Sequence, residues 1–582
     1  MPSLEEIIAK FVLKNAYDYG KANPGAVAGK VIAEHPDCKK DMKATMSKIN
    51  AEIARVSKLK KADIEKEMSA FEYVEKKEEK RSIAIEGAEE GKVVVRYPPE
   101  PNGWPHIGHA KAFCLSWTIA KNYKGRILLR WDDTNPEAEK AEYLEAIRDG
   151  IKWLGLGWDE EAYCSDHMQK MYALCEKLIS QGDAYSCRCL QEDISKGRED
   201  MERCECAEKP PASSLQDWKG MLKGSVKAGE MTIRLKGDMA SQNTVMRDPT
   251  LFRIITAPHY RQKDKYRVWP TYDFQGAVMD SLLGITHPLR SKEYELRDEL
   301  YAYLLEKLGM QVPQLISISR LAIKRAPISK RLLRPLVEGG KLWGWDDPRL
   351  PTLAGLKRRG ISPEAIRTFV LSFGISKVES EPDWEVLLAE NRKVLDPISP
   401  HYFFVPEPVE LKVHGLEHQE IELKLHPKKN MGMRALGVSS TVLIPRADAE
   451  HLKEGEVFRL KDLCNVEITK ALGPEHKTSK HKTHETKPET GNQRLEGRLV
   501  EGDPAPKKPQ WVSDKVACEV LIPGDLLDDR GGFDPKSLQK REGFCEAACT
   551  SLKAGDIVQF ERFGFCRLDR KENGKLVFIF SC

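Results

Sequence analysis

A chain of 582 residues is too long for one hydrophobic core, so roughly three to five domains are expected. Hydrophobic residues at 41% and charged residues at 31% exclude a disordered or membrane-embedded chain, and no uncharged apolar run approaches the ~18 residues that a span requires. A net charge of +4 neither demands nor excludes a nucleic-acid partner, whose binding would rest on local basic patches.

The start, MPSLEEIIAK, is acidic and lacks the basic-then-apolar layout of a secretory signal, so a cytoplasmic location is expected. Residues 1–88 read as a helical appendage. Within Asp37–Arg81, rich in Lys, Glu and Ala, Met46, Ile49, Ile53 and Val56 recur at three- and four-residue steps, which makes one apolar stripe and suggests a helical hairpin with solvated charged faces, the alternative being a dedicated RNA arm. Lys92–Tyr97 (KVVVRY) then reads as a buried parallel strand, Pro98–Pro105 as a loop, and Gly108–Tyr123 as a helix with Gly125 as its C-cap. Arg126–Trp131 (RILLRW) is the next strand, and this βαβ unit predicts a doubly wound nucleotide-binding domain. Asp200–Glu230 is polar and reads as irregular. Beyond Asp396, short apolar runs such as HYFFV and STVLI, punctuated by Pro and Gly, predict β-barrels. Lys470–Lys508 reads as a loop within them.

Two chemical clusters stand out. In RYPPEPNGWPHIGHAK, His106 and His109 sit where loop becomes helix, so two imidazoles and a helix N-terminus can together face phosphate oxygens. Gly108 between them lets a nucleotide approach the backbone. The second cluster is a pair of Cys-x-Cys motifs, Cys187 with Cys189 and Cys204 with Cys206. Four thiolates can close a tetrahedral Zn²⁺ site and so stabilise a polar insertion, the alternative being four free thiols. Other cysteines, such as Cys38 and Cys114, read as core or surface residues without chemistry.

The segment around His106 resembles the HIGH motif of class I aminoacyl-tRNA synthetases, in the long form of the glutamyl and glutaminyl enzymes. WDDTNP (131–136), WPTYDF (269–274), GITHPLRSKEY (284–294), WGWDDPRLPT (343–352) and QFERFGFCRLD (559–569) resemble further blocks of that family, in order. ISKRLL (328–333) resembles its KMSKS motif, with Ile328 for methionine and Leu332 for a lysine.

The resemblance implies a class I α/β catalytic domain of Rossmann type at 89–165 and 266–330, with an acceptor-binding insertion at 166–265. A helical connector at 331–395 and anticodon-binding barrels at 396–582 would follow, in a monomer. It implies that His106, His109 and Lys330 are catalytic and that Pro98, Glu100, Gly108, Ser329 and Arg331 bind ATP, used with Mg²⁺. Arg96, Asp132, Tyr272 and Arg290 would hold the amino acid. An arginine at 290 resembles glutamyl enzymes, since glutaminyl ones carry a small neutral residue there; the alternative for Arg290 is an ion pair with Glu293 or Asp280. The expected activity is therefore glutamate–tRNA ligation through an adenylate, with transfer to the 2′-hydroxyl of the terminal adenosine and activation that requires tRNA. A glutaminyl enzyme and a non-catalytic tRNA-binding relative are the rivals.

Overall fold

The apolar stripe of the first segment is buried. Ile49 and Val56 are closed off from solvent and Met46 and Ile53 are partly buried. They lie on α3 (Met42–Val56), which follows α1 (Leu4–Tyr19) and α2 (Pro24–Glu34) and precedes α4 (Lys61–Met68). Each start has a local cause: Asn23 accepts the N–H groups of Gly25 and Ala26, and Asp41 accepts that of Ala44. Helices α3 and α4 pack mainly against α1 rather than against each other, so the expected hairpin is part of a four-helix unit. This computed structural model describes residues 3–19, 22–59, 61–71, 83–471 and 494–582, and the helical reading of 72–81 lies outside them. The chain divides into two units, 1–82 and 83–582.

The second unit opens with β1 (Val94–Tyr97), α5 (Ile107–Asn122), β2 (Arg126–Trp131), α6 (Ala141–Trp153) and β3 (Glu160–Tyr163). The three strands form a parallel sheet in the order β1-β2-β3. Its apolar runs are covered by helices, as the lack of polar alternation required. The turn after α5 differs from expectation. Lys124 takes the left-handed conformation (φ 48°), and Gly125 instead makes room for Val93, whose carbonyl oxygen would lie 2.2 Å from a Cβ there.

An insertion follows, with α7 (Met168–Gln181), β4 (Ala184–Cys187), α8 (Gln191–Asp200), α9 (Pro211–Lys223), β5 (Thr232–Leu235), β6 (Thr250–Ile254) and β7 (Val268–Pro270). Its four strands form one antiparallel sheet. Helix α9 corrects the irregular reading of 200–230: Trp218 and Met221 are fully buried, Leu215 and Leu222 pack beside them, and these few apolar anchors suffice once a sheet lies beneath.

The chain then returns through α10 (Tyr272–Leu282), β8 (Leu289–Ser291), α11 (Asp298–Leu308) and β9 (Ile316–Ile318), with β8 and β9 parallel. Thr286 and His287 donate their N–H groups to the Val94 carbonyl, which lays this second parallel pair beside β1. The C-terminal ends of β1, β2 and β8 therefore open towards one place, where open α/β sheets bind ligands. Helices α12 (Lys330–Glu338), α13 (Leu353–Arg359), α14 (Pro363–Leu371) and α15 (Trp384–Leu395) follow.

The rest is sheet: one of seven strands, one of five and a two-stranded ribbon. Phe403 and Phe404 are both fully buried yet enter different cores, one with Trp511 and Phe458, the other with Phe560 and Phe578. Successive residues of an extended chain point to opposite sides, so one short segment joins both cores. The loop read at 470–508 lies outside the described residues over 472–493, but Leu495–Val500 is a strand. Gly497 permits it, because a Cβ there would sit 2.6 Å from Val466 Cγ1.

Candidate functional site

Helix α5 begins with a reciprocal cap made of histidines. His106 Nδ1 accepts the Gly108 N–H (3.1 Å), and His109 Nδ1 accepts the His106 N–H (3.2 Å). With both δ nitrogens committed as acceptors, each neutral ring carries its proton on Nε2. Burial and the neighbouring His109 and Lys330 hold His106 well below its ordinary pKa; burial and Lys330 bring His109 down to about 4. Near neutral pH the pair thus offers two uncharged N–H donors beside the helix N-terminus.

Lys330, at the first turn of α12, crosses to this loop and donates to Asn102 Oδ1 (2.7 Å) and to the Asn102 carbonyl. It passes over Gly103, where a Cβ would lie 2.1 Å from its Cε. Burial lowers its pKa, with the Glu100 carboxylate opposing. His106, His109, Glu100 and Lys330 line one cavity of about 230 Å³.

A larger cavity of about 790 Å³ shares His106, His109 and Glu100 and extends to Arg96, Asp132, Tyr272 and Arg290. Pro98, Gly108 and Ser329 line it as well, whereas Arg331 is exposed and lines neither cavity. All four expected amino-acid residues thus line the larger cavity at one end and the histidines at the other, whereas Lys330 lines only the smaller cavity.

The floor of that end is a buried charge network. Arg96 of β1 bonds Asp280 of α10 through Nε (2.9 Å) and Nη2 (3.3 Å), and donates Nη1 to the Leu289 carbonyl. Arg130 of β2 also bonds Asp280 and grips both oxygens of Asp132 (2.7 and 3.1 Å). The Tyr301 hydroxyl donates to Asp280 (2.9 Å). Burial raises the Asp280 pKa, yet Arg130 and Arg96 together hold it below its ordinary value. Two guanidiniums against two carboxylates leave no uncompensated charge, which is the condition for burying all four. Arg290 pairs with Asp298 at the start of α11, not with Glu293 or Asp280; Glu293 is held by Arg320. Its guanidinium also lies 5.0, 5.7 and 6.0 Å from the rings of Tyr301, Tyr294 and Tyr272. Sequence reading missed Arg130 and Asp298, and named Asp280 only as an alternative partner for Arg290, not for Arg96 and Arg130. A charged residue inside the strand RILLRW was the available signal for the first, since a buried arginine requires a partner.

In the insertion, Cys187 ends β4, while Cys204 directly precedes a short 3-10 turn, Glu205–Glu208, that carries Cys206. The four sulfurs lie within 4.8 Å of one another, with Cys187–Cys204 at 3.8 Å and Cys189–Cys206 at 3.9 Å. Tetrahedral zinc–thiolate bonds of ~2.3 Å place sulfurs about 3.8 Å apart, so the set fits that ion. Burial holds the Cys187 and Cys189 thiols above their ordinary pKa, whereas Tyr185 and Arg234 overcome burial and bring Cys204 below its own, making Cys204 the readiest thiolate of the three.

Residues 92–397 match the catalytic domain of class I tRNA synthetases (E and Q), and 399–493 and 508–569 match the anti-codon binding domain of the same enzymes. The chain belongs to this family, the class I tRNA synthetases of the E and Q type. The glutamate–tRNA ligase of Nitrosopumilus maritimus is 41% identical over 97% of both chains. That of Korarchaeum cryptofilum is 38% identical over the whole of both, and that of Pyrococcus furiosus 36% identical over 99% of both.

Proposed function

We propose that the protein is a glutamate–tRNA ligase, an ATP-dependent enzyme that activates glutamate and transfers it to the 3′ end of tRNA. Relatives of that name match over its full length. The observation that carries the reading is one cavity that joins the neutral histidine pair to the end bearing Arg290. In the first step an oxygen of the glutamate α-carboxylate bonds to the α-phosphorus, and the bond to the β-phosphate oxygen breaks, its electron pair leaving with pyrophosphate. His106 and His109 donate Nε2–H bonds to phosphate oxygens, and Lys330, released from Asn102, meets the charge that grows on the leaving group. Mg²⁺ bound to the ATP phosphates would neutralise part of their charge. None of these residues transfers a proton; their work is orientation and charge stabilisation. A hydroxyl of the terminal adenosine then attacks the adenylate carbonyl, the acyl–phosphate bond breaks with its electron pair leaving on AMP, and the hydroxyl proton passes to a phosphate oxygen of that AMP.

At the other end, Asp132 accepts from the substrate ammonium and Tyr272 flanks the side chain. Arg290 exchanges part of its contact with Asp298 for the substrate carboxylate, while Arg96, neutralised by Asp280, shapes the floor beneath it. A glutamine amide would match that guanidinium poorly, which favours glutamate over the glutaminyl alternative. Zn²⁺ held by Cys187, Cys189, Cys204 and Cys206 would brace the insertion, which holds the acceptor end, while the C-terminal sheets close as barrels and read the anticodon. The test is aminoacylation by purified protein with separate transcripts of tRNA for glutamate and for glutamine, each offered both amino acids. Glutamate is expected on the glutamate transcript with no glutamine transferred to either; transfer of glutamine would overturn the assignment of Arg290.

A further inference from the structure

Behind the substrate cavity lies a second cluster that the mechanism above leaves unused. His259 is on the loop joining β6 to β7, and its side chain is entirely buried. Its Nδ1 accepts the N–H groups of Arg261 (3.1 Å) and Gln262 (2.9 Å), so the ring proton is on Nε2. That Nε2–H donates to the Asp133 carbonyl (3.2 Å) and lies 3.3 Å from Glu139 Oε2. The ring is clamped by Trp269, stacked at 5.1 Å between centroids.

These contacts grip one loop at both ends. Glu139 Oε1 accepts the Asn135 N–H (2.6 Å), closing 135–139, while its Oε2 is buried without a hydrogen-bond partner. Asp133 accepts from the Ser165 N–H and hydroxyl, both at 2.8 Å, and from the Tyr260 hydroxyl (3.1 Å). Burial lifts Asp133 to about 7 and Glu139 to about 8, as befits carboxylates shut away from water. On its other face the same loop presents Asp132, Thr134 and Asn135 to the substrate cavity.

We propose that His259 is a positioning residue for aminoacylation: its Nε2–H holds the Asp132–Glu139 loop in the shape that aims Asp132 at the substrate ammonium. The proposal rests on the glutamate-ligase reading. It touches no substrate itself and acts through the loop.

Two substitutions separate the arms of the ring. His259→Asn keeps an acceptor where Nδ1 serves the Arg261–Gln262 turn but removes the distal donor. His259→Gln keeps a donor near the Nε2 position and gives up the turn contact. Steady-state charging with glutamate, ATP and tRNA varied in turn is expected to show KM for glutamate raised about tenfold in His259→Asn. KM for ATP should stay near wild type, and His259→Gln should recover most of the loss. Wild-type kinetics in His259→Asn, or an equal loss in both variants spread over all three substrates, would overturn the proposal. Should His259→Asn fail to fold, Glu139→Gln carries the test, since it keeps the oxygen facing Asn135 and sets an amide donor against the His259 N–H. The same rise in KM for glutamate is expected there, and a wild-type value overturns the proposal. Wild-type protein that charges no glutamate would overturn the functional reading itself, a result obtained before any variant is made.

Discussion

Arg290, proposed above to select the amino acid, carries a buried charge that already has one partner. Asp298 makes that charge tolerable before substrate arrives, and burial holds the Asp298 carboxyl above its ordinary pKa despite the guanidinium. Arg290→Gln is expected to cut kcat/KM for glutamate roughly 10- to 100-fold, the equivalent of the ~1.5–3 kcal/mol of a charge-assisted hydrogen bond. Pyrophosphate exchange in the presence of tRNA measures it; an unchanged rate would mean that Arg290 serves only Asp298. The histidines could be read from sequence because they cap their own helix, three residues apart. Arg130 and Asp280 could not be paired that way, being 150 residues apart, and nothing local says which carboxylate a buried guanidinium will find.

Local pattern governs single elements until a sheet or an ion supplies what the pattern lacks. The strands at 94–97 and 126–131 formed from their own apolar runs. Helix α9 and the strand at 495–500 come from polar stretches, and each forms because one or two apolar side chains find a prepared surface. The insertion around α8 has a small core of Tyr185, Cys187, Ile194 and Ala207, packed against the other three cysteines. A zinc ion on the four thiols, as proposed above, would complete so small a core, and protein purified without chelator is expected to carry about one zinc per chain. Cys204→Ser should lose that zinc by elemental analysis and lower Tm; a metal-free wild type with the same Tm would remove the ion from the account.

At the scale of the whole chain, residues 1–82 form a unit with a hydrophobic core of their own, and every site residue discussed lies in 83–582. A chain beginning at Ile83 is therefore expected to fold and to activate glutamate with kcat within about twofold of full length. Any effect of the missing unit would appear in KM for tRNA, and loss of activation would show that the first unit contributes to the site. What the sequence determined by itself was whatever its near neighbours enforce: the βαβ unit, the histidine cap, the two cysteine pairs and the order of the family's blocks. Tertiary structure alone decided the partner of Arg290, the network around Asp280, the hold of His259 on the acidic loop and the two cores that Phe403 and Phe404 enter. The reason is physical. A cap or a strand depends on residues a few positions away, whereas a buried charge takes whichever partner the fold brings within reach.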